Sequence, residues 1–328
     1  MRVLSCLAAG VLLLAAGCAG AGDDAAAPAP SVSVTGNHRV SPYLDLESGT
    51  ADVTAIAEAT GQADYTVAFV VANGAGDCTA TWGGSAALDD SDVQAGLDAI
   101  ADLGGQITVA TGGADGTYLE AVCTAAELAT AYEKALDAAG SNRLDVDILI
   151  GDGQQVTAAT VATALQAVQD ARDTVVSITV PVAEDGDGLT GDAVALLKSM
   201  KSAGVDVTVN VMTMNFEGSG DWGTAMTGAA ESVRDDVAAV WTGLSDADVY
   251  AMLGVTPMIG VNDSGATTTV ANAQTLLGYA EEKELGYVRF WSVNRDNDGC
   301  ADGTVSSSCS GIAQTDYAFT SLFAAFGT

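Results

Sequence analysis

From residue 37 onward the chain repeats one unit: a short β-branched run, a turn, and an amphipathic, alanine-rich helix. That alternation constrains the fold more than any other feature, because parallel strands need helical crossovers that return the chain to the same sheet. The spacing predicts strands at Arg39–Leu44, Tyr65–Val71, Gln106–Thr111, Leu144–Ile150, Val175–Val180, Val205–Met214, Val255–Ile259 and Tyr287–Ser292. Several are nearly continuous apolar runs, as strands covered on both faces must be. Helical periodicity fills the intervals at Ser91–Leu103, Leu119–Ala139, Thr157–Ala171, Gly191–Ser202, Gly223–Thr242 and Thr268–Lys283, and a last helix covers Asp316–Phe326. Eight strands alternating with helices across residues 37–328 point to an α/β fold: a single-domain, closed (β/α)8 TIM barrel. No GxGxxG follows the first strand, which argues against dinucleotide binding. In such a barrel the chemistry belongs to the loops leaving the C-terminal ends of the strands.

The residues before the barrel read as export and tethering. Arg2 gives a short positive start, an apolar run ends at Ala16, and Ala15-Ala16-Gly17-Cys18 follows. A run this short is a signal peptide and not a bilayer span. Small residues ending in cysteine resemble a bacterial lipobox, so residues 1–18 read as a signal peptide with Cys18 as the lipidation site. Residues 19–36 are small, polar and proline-bearing, the composition of a flexible linker. The expected location is therefore exported: a cell-surface lipoprotein held to the membrane only by its N-terminal lipid, or a secreted protein. The formal net charge of −32 repels nucleic acid and anionic headgroups, which excludes polyanionic partners.

Cys78, Cys123, Cys300 and Cys309 remain for the mature domain. An even number in an oxidising compartment implies two disulfides, and four cysteines allow three pairings. Cys78–Cys123 with Cys300–Cys309 is the favoured one, the second bond closing a short loop. With no CxxC pair and His38 as the only histidine, no metal site and no cofactor are expected.

The fourth strand reads Asn142-Arg143-Leu144-Asp145-Val146-Asp147-Ile148-Leu149. Alternate residues of a strand share a face, so Asp145 and Asp147 point into the barrel together. Two inward carboxylates in an apolar run are costly to bury unless paired or hydrogen-bonded, which marks a site or its remnant. Four further stretches join it: Gln106 to Gly113, ending in Gly112-Gly113; Met212-Thr213-Met214-Asn215; Phe290-Trp291-Ser292; and Val255 to Asp263. Ala68-Phe69-Val70-Val71, then Cys78 and Trp82-Gly83-Gly84, completes the set.

In this order the stretches resemble glycoside hydrolase family 18, the chitinase family, in a secreted actinobacterial branch. The fourth strand resembles the family's DxxDxDxE signature, with Asn142 at the first aspartate and Leu149 at the glutamate. The third strand resembles SxGG with Ala110 replacing serine, and the sixth resembles MxYD with Asn215 replacing the acid. The resemblance implies a substrate-assisted retaining mechanism, in which the substrate's acetamido oxygen attacks the anomeric carbon. It assigns Asp147 to orienting that acetamido group, Asp145 to controlling its charge, and the missing glutamate to protonating the leaving oxygen. Loss of a general acid costs on the order of 10²–10⁴ in rate. The resemblance further implies sugar-binding roles for Trp291, as floor of the central subsite, and for Asn215, Met212, Trp82 and Phe69. Trp82 reads equally as a surface wedge. The expected function is non-hydrolytic binding of β-1,4-linked N-acetylglucosamine glycans, chitin or peptidoglycan fragments. Two alternatives stand beside it. One is an active family 18 hydrolase with a displaced acid from Asp152, Glu184 or Asp185. The other is a protein-interaction module with an empty cleft.

Overall fold

The computed structural model describes residues 39–46, 51–148 and 154–327. Cys18 and the whole expected signal and linker fall outside these residues, as do Leu149 and Asp152. Eight parallel strands form the barrel: β1 (Tyr43–Asp45), β2 (Tyr65–Ala72), β3 (Ile107–Gly112), β4 (Arg143–Asp147), β5 (Val175–Pro181), β6 (Val207–Met212), β7 (Leu253–Thr256) and β8 (Tyr287–Val288). They pair in sequence order. Closure comes from a parallel bridge between Val40 and Val288, with Val288 N–H donating to Arg39 O (2.8 Å) and Tyr43 N–H to Phe290 O (3.1 Å).

A main helix follows each strand: α1 (Val53–Thr60), α2 (Ser91–Asp102), α3 (Ala125–Ala138), α4 (Ala158–Arg172), α5 (Gly191–Ala203), α6 (Trp222–Val240), α7 (Val270–Glu282) and α8 (Ala318–Phe323), with a short extra helix, Asp246–Met252, leading into β7. Side-chain caps fix most of their starts. Asp52, Asp90, Thr190 and Asp221 each accept from first-turn amides, and Thr124 and Thr269 close reciprocal capping boxes with Glu127 and Asn272. The main core lies between the strands' outward residues, such as Leu144, Val146, Ile178, Val180, Val209 and Val211, and the buried faces of the helices.

Several expected elements change length. The helix predicted over Leu119–Ala139 is two, Leu119–Val122 and α3, because Cys123 is extended (φ −89°, ψ 147°) and Thr124 caps a new start. Helix α1 escapes the periodicity reading because it is a short segment, VTAIAEAT, rescued by Asp52 and by Gly61 in the left-handed region (φ 77°). The eighth strand pairs only at Tyr287–Val288, and residues 290–292 continue as loop backbone bridging to Met258.

The two disulfides are Cys78–Cys123 and Cys300–Cys309, with Cα separations of 5.0 and 5.9 Å. Among the described residues no helix is long and apolar enough to cross a membrane.

Candidate functional site

The inward residues of the barrel are polar. On β4 the positions Arg143, Asp145 and Asp147 share one face by strand alternation, with Ser177 and Thr179 beside them on β5 and Asn210 on β6. Asp145 is fully buried and saturated. Its Oδ1 accepts from the hydroxyls of Ser177 and Thr179 (the latter 2.8 Å) and from Arg289 Nη1 (2.6 Å). Its Oδ2 accepts from the Tyr43 hydroxyl (2.8 Å). Asn210 Nδ2 donates to Thr179 Oγ1 (3.0 Å), and its Oδ1 accepts from Thr256 Oγ1 (2.9 Å). A buried ion pair is tolerable only with its remaining lone pairs satisfied, and here the hydroxyls of Tyr43, Ser177 and Thr179 do so.

Asp147 stands one layer higher and differs in kind. It is 7% exposed, and its Oδ1 has no hydrogen-bond partner. Burial first, and the charge of Asp145 second, push its pKa well above the usual carboxylate range; Glu120 adds to this, while Arg289 and Tyr43 act against it. The fold therefore favours a neutral acid at this position. Glu120 is itself buried, accepting from Thr111 Oγ1 (2.6 Å) and the Tyr132 hydroxyl (2.8 Å), and burial raises its pKa too.

Above Asp147 opens a cavity of about 270 Å³ at the C-terminal ends of the strands, the face where barrels place their chemistry. Tyr43, Phe69, Met212, Met214, Asn215, Met258, Asp263 and Trp291 line it together with Asp147. Trp291 is half-buried and stacks on Phe69 at 5.5 Å, with interplanar angle 20° and the Tyr43 ring 5.8 Å away. The peptide bonds Ala68–Phe69 and Trp291–Ser292 are cis. Gly112 and Gly113 explain their own motif. Both have positive φ (88° and 86°), Gly113 N–H donates to Asp147 O (2.8 Å), and a Cβ on Gly113 would lie 2.6 Å from the Phe69 ring. Two glycines thus let β3 close against the site strand and the aromatic wall.

Phe69, Met212, Asn215, Trp291 and Asp147 come together at this cavity, with Asp145 beneath them. Trp82 does not. It sits on a short antiparallel strand, Ala80–Trp82, paired to β2, and is 1% exposed within the core. The ring carries no open face for a sugar, because the β2 hairpin turns it inward to fill the space beneath. Glu184 and Asp185 are exposed and do not line the cavity. The second carboxylate that does is Asp263, whose Oδ2 accepts from Asn215 Nδ2 (2.9 Å) while its own N–H donates to Asn215 Oδ1 (2.9 Å). Asn215 has φ 60°, a conformation asparagine tolerates. Sequence reasoning missed Tyr43, Arg289 and Asp263 as site residues. The first two were readable, since Arg289 shares the parity of Trp291 on one strand and Tyr43 sits on β1. Among the described residues no group of three or more His, Cys, Asp or Glu is placed to hold a metal ion.

No protein-family model matches the chain. Solved structures do. The catalytic domain of the hyperthermophilic chitinase from Pyrococcus furiosus shares 31% identity and a TM-score of 0.79, covering 92% of this chain and 99% of that one. This chain belongs to glycoside hydrolase family 18. Active domain 2 of the thermostable P. furiosus chitinase, seen as catalytic-site mutants complexed with chito-oligosaccharides, matches at 31% identity and TM-score 0.79, over 91% of this chain and 97% of that one. The probable bifunctional chitinase/lysozyme of Escherichia coli K12 is 29% identical over 314 residues, which cover 88% of this chain and 34% of that protein. This family 18 chain thus spans about a third of the length of that curated relative.

Proposed function

We propose that this protein is an exported, chitinase-like binder of β-1,4-linked N-acetylglucosamine glycans that does not hydrolyse them. The observation that carries the proposal is the composition of the site strand: Asp145-Val146-Asp147 is intact, and leucine stands at position 149, where the sequence resemblance places the family's acid. Leucine has no proton to give. The binding elements remain. An indole face beside an apolar wall suits a pyranose ring, and burying on the order of 100 Å² is worth roughly 2–3 kcal/mol. The unpartnered Oδ1 of Asp147 offers a hydrogen bond to an acetamido group above it. Complexes of the P. furiosus domain with chito-oligosaccharides favour the same ligand class. Export through Cys18 acylation and the actinobacterial branch belong to this reading. Cys18→Ala should shift the protein from the membrane fraction to the medium or block its maturation, and an intact mass showing no modification at Cys18 would remove the anchor from the proposal.

The test is titration with chitooligosaccharides followed by product analysis. Binding in the micromolar to millimolar range with no product over long incubation is expected, and Leu149→Glu should restore slight hydrolysis at most. Cleavage by the unmodified protein, abolished in Asp147→Asn, overturns the non-hydrolytic reading. Asp263 favours that second reading over the other acids, because it is a carboxylate on the cavity itself. Asp263→Asn is then the variant that must lose turnover.

A further inference from the structure

A second cavity opens at the opposite end of the barrel, about 210 Å³ in volume, where the strands begin. Its walls include residues near the strand starts: Arg143 on β4, Val175 and Ser177 on β5, Thr208 on β6 and Tyr287 on β8, with Arg289 just beyond the end of β8. Hydroxyl and guanidinium donors therefore dominate it. Two observations set it apart from ordinary polar packing. The guanidinium of Arg143 is half-buried and has no hydrogen bond or ion pair among the described residues. Arg289 is 5% exposed; its Nη1 and Nη2 donate to Asp145 and Ser177, and its Nε is buried without a partner.

The single acid on the cavity wall, Asp64, accepts from the amide of Gln106 (2.7 Å) and makes no ion pair with Arg143. Burial, and after it the like charge of Arg289, hold the Arg143 guanidinium below its ordinary pKa, and the opposing charge of Asp64 does not make up the difference. In a chain of net charge −32 with only 11 basic residues, two guanidinium groups sharing one cavity is a concentration of a scarce resource. Arg289 already has its anion in Asp145, whereas the half-buried Arg143 has none among the described residues.

We propose that the N-terminal mouth of the barrel binds a small oxyanion between Arg143 and Arg289. A planar guanidinium fork matches two oxygens of a phosphate, sulfate or carboxylate, and the neighbouring Tyr287 hydroxyl can donate to another. A cavity of about 210 Å³ has room for a small oxyanion. The site is separated from the sugar cleft by the Asp145–Arg289 layer, so it stands whether or not the glycan reading does.

The experiment is calorimetric titration of the full chain with inorganic phosphate, at ionic strength held constant with chloride, alongside the thermal midpoint in the same buffers. Saturable one-site binding and a saturable rise in the midpoint are expected. Arg143→Gln should abolish both, and Arg143→Lys, which keeps the charge and guards against a variant that does not fold, should weaken binding about tenfold. Lys198→Gln, the same charge change at an exposed helix position, should bind as the parent does. Absence of phosphate binding beyond the chloride control, or unchanged binding in Arg143→Lys and Arg143→Gln, overturns the proposal.

Discussion

Strand β4 serves both mouths of the barrel, contributing Arg143 to the cavity at one end and Asp147 to the cleft at the other. Between them sits the Asp145–Arg289 pair, and the way that pair uses its hydrogen bonds sets the character of each mouth. Every oxygen of Asp145 is occupied, so Tyr43, Ser177 and Thr179 spend their hydroxyls on it and Asp147 above is left with an open oxygen. Arg289 donates to Asp145 through Nη1 and keeps an unpartnered Nε. The chain's connections differ in the same sense. Those at the lower mouth are short, as at residues 103–106, 139–142 and 173–174, whereas residues 73–90 and 289–317 build the upper one. Both disulfides brace upper loops. A rigid, tightly turned end and a loop-built end are the usual division between stability and ligand contact in this architecture.

The largest effect should come from the layer that separates the two mouths. Asp145→Ala leaves Arg289 as a buried charge without its partner, which costs about 3–5 kcal/mol. Denaturant unfolding should show that loss, and a change below about 1 kcal/mol would mean the layer is not what holds the mouths apart. Next come the upper loops. Chain entropy assigns about 4 kcal/mol to Cys78–Cys123 and about 2.5 kcal/mol to Cys300–Cys309, from sequence separations of 45 and 9. Paired serine variants compared by urea midpoint should reproduce that order. The reverse order would place the greater constraint on the β8 loop.

Trp291→Ala tests the upper mouth alone. Losing the indole face should weaken chitooligosaccharide binding by roughly 30- to 150-fold, the equivalent of about 2–3 kcal/mol. Phosphate binding at the lower mouth should stay as it was. A joint loss of both would show that the two ends are coupled through the central layer.

The barrel was legible because burial on both faces writes itself into strand sequences as apolar runs, and cysteine counting gave two disulfides, with Cys78–Cys123 and Cys300–Cys309 the favoured one of three pairings. The inward carboxylates were legible from alternation on Leu144-Asp145-Val146-Asp147. What escaped was any relation between strands. Nothing in the sequence says that Arg289 reaches Asp145 across 144 positions, or that Asp263 is held beside Asn215. Trp82 misled for a related reason, since the same residue type serves as a sugar platform or as core filling, and only the hairpin's direction decides. Helix α1 was lost because its stability lies in two caps and not in its periodicity.

The last effect is the most discriminating for the site itself. The pKa of Asp147 is raised chiefly by burial and next by Asp145, so the folded protein binds a proton there that the unfolded chain gives up near pH 4. Its contribution to stability is therefore fully present below that pH and is lost as pH rises toward the folded value, at no more than about 1.4 kcal/mol per pH unit. Asp147→Asn replaces the acid by a neutral group of the same shape and removes this dependence. Unfolding free energies measured from pH 4 upward should show the parent losing stability relative to Asp147→Asn and then running parallel to it. Glu120, whose pKa is also raised, is present in both proteins, so its own titration largely cancels in the difference. A parent that gains on the variant with rising pH would mean Asp147 is ionised in the fold. The open oxygen would then accept from an acetamido N–H, and no proton would be available there to donate to its carbonyl.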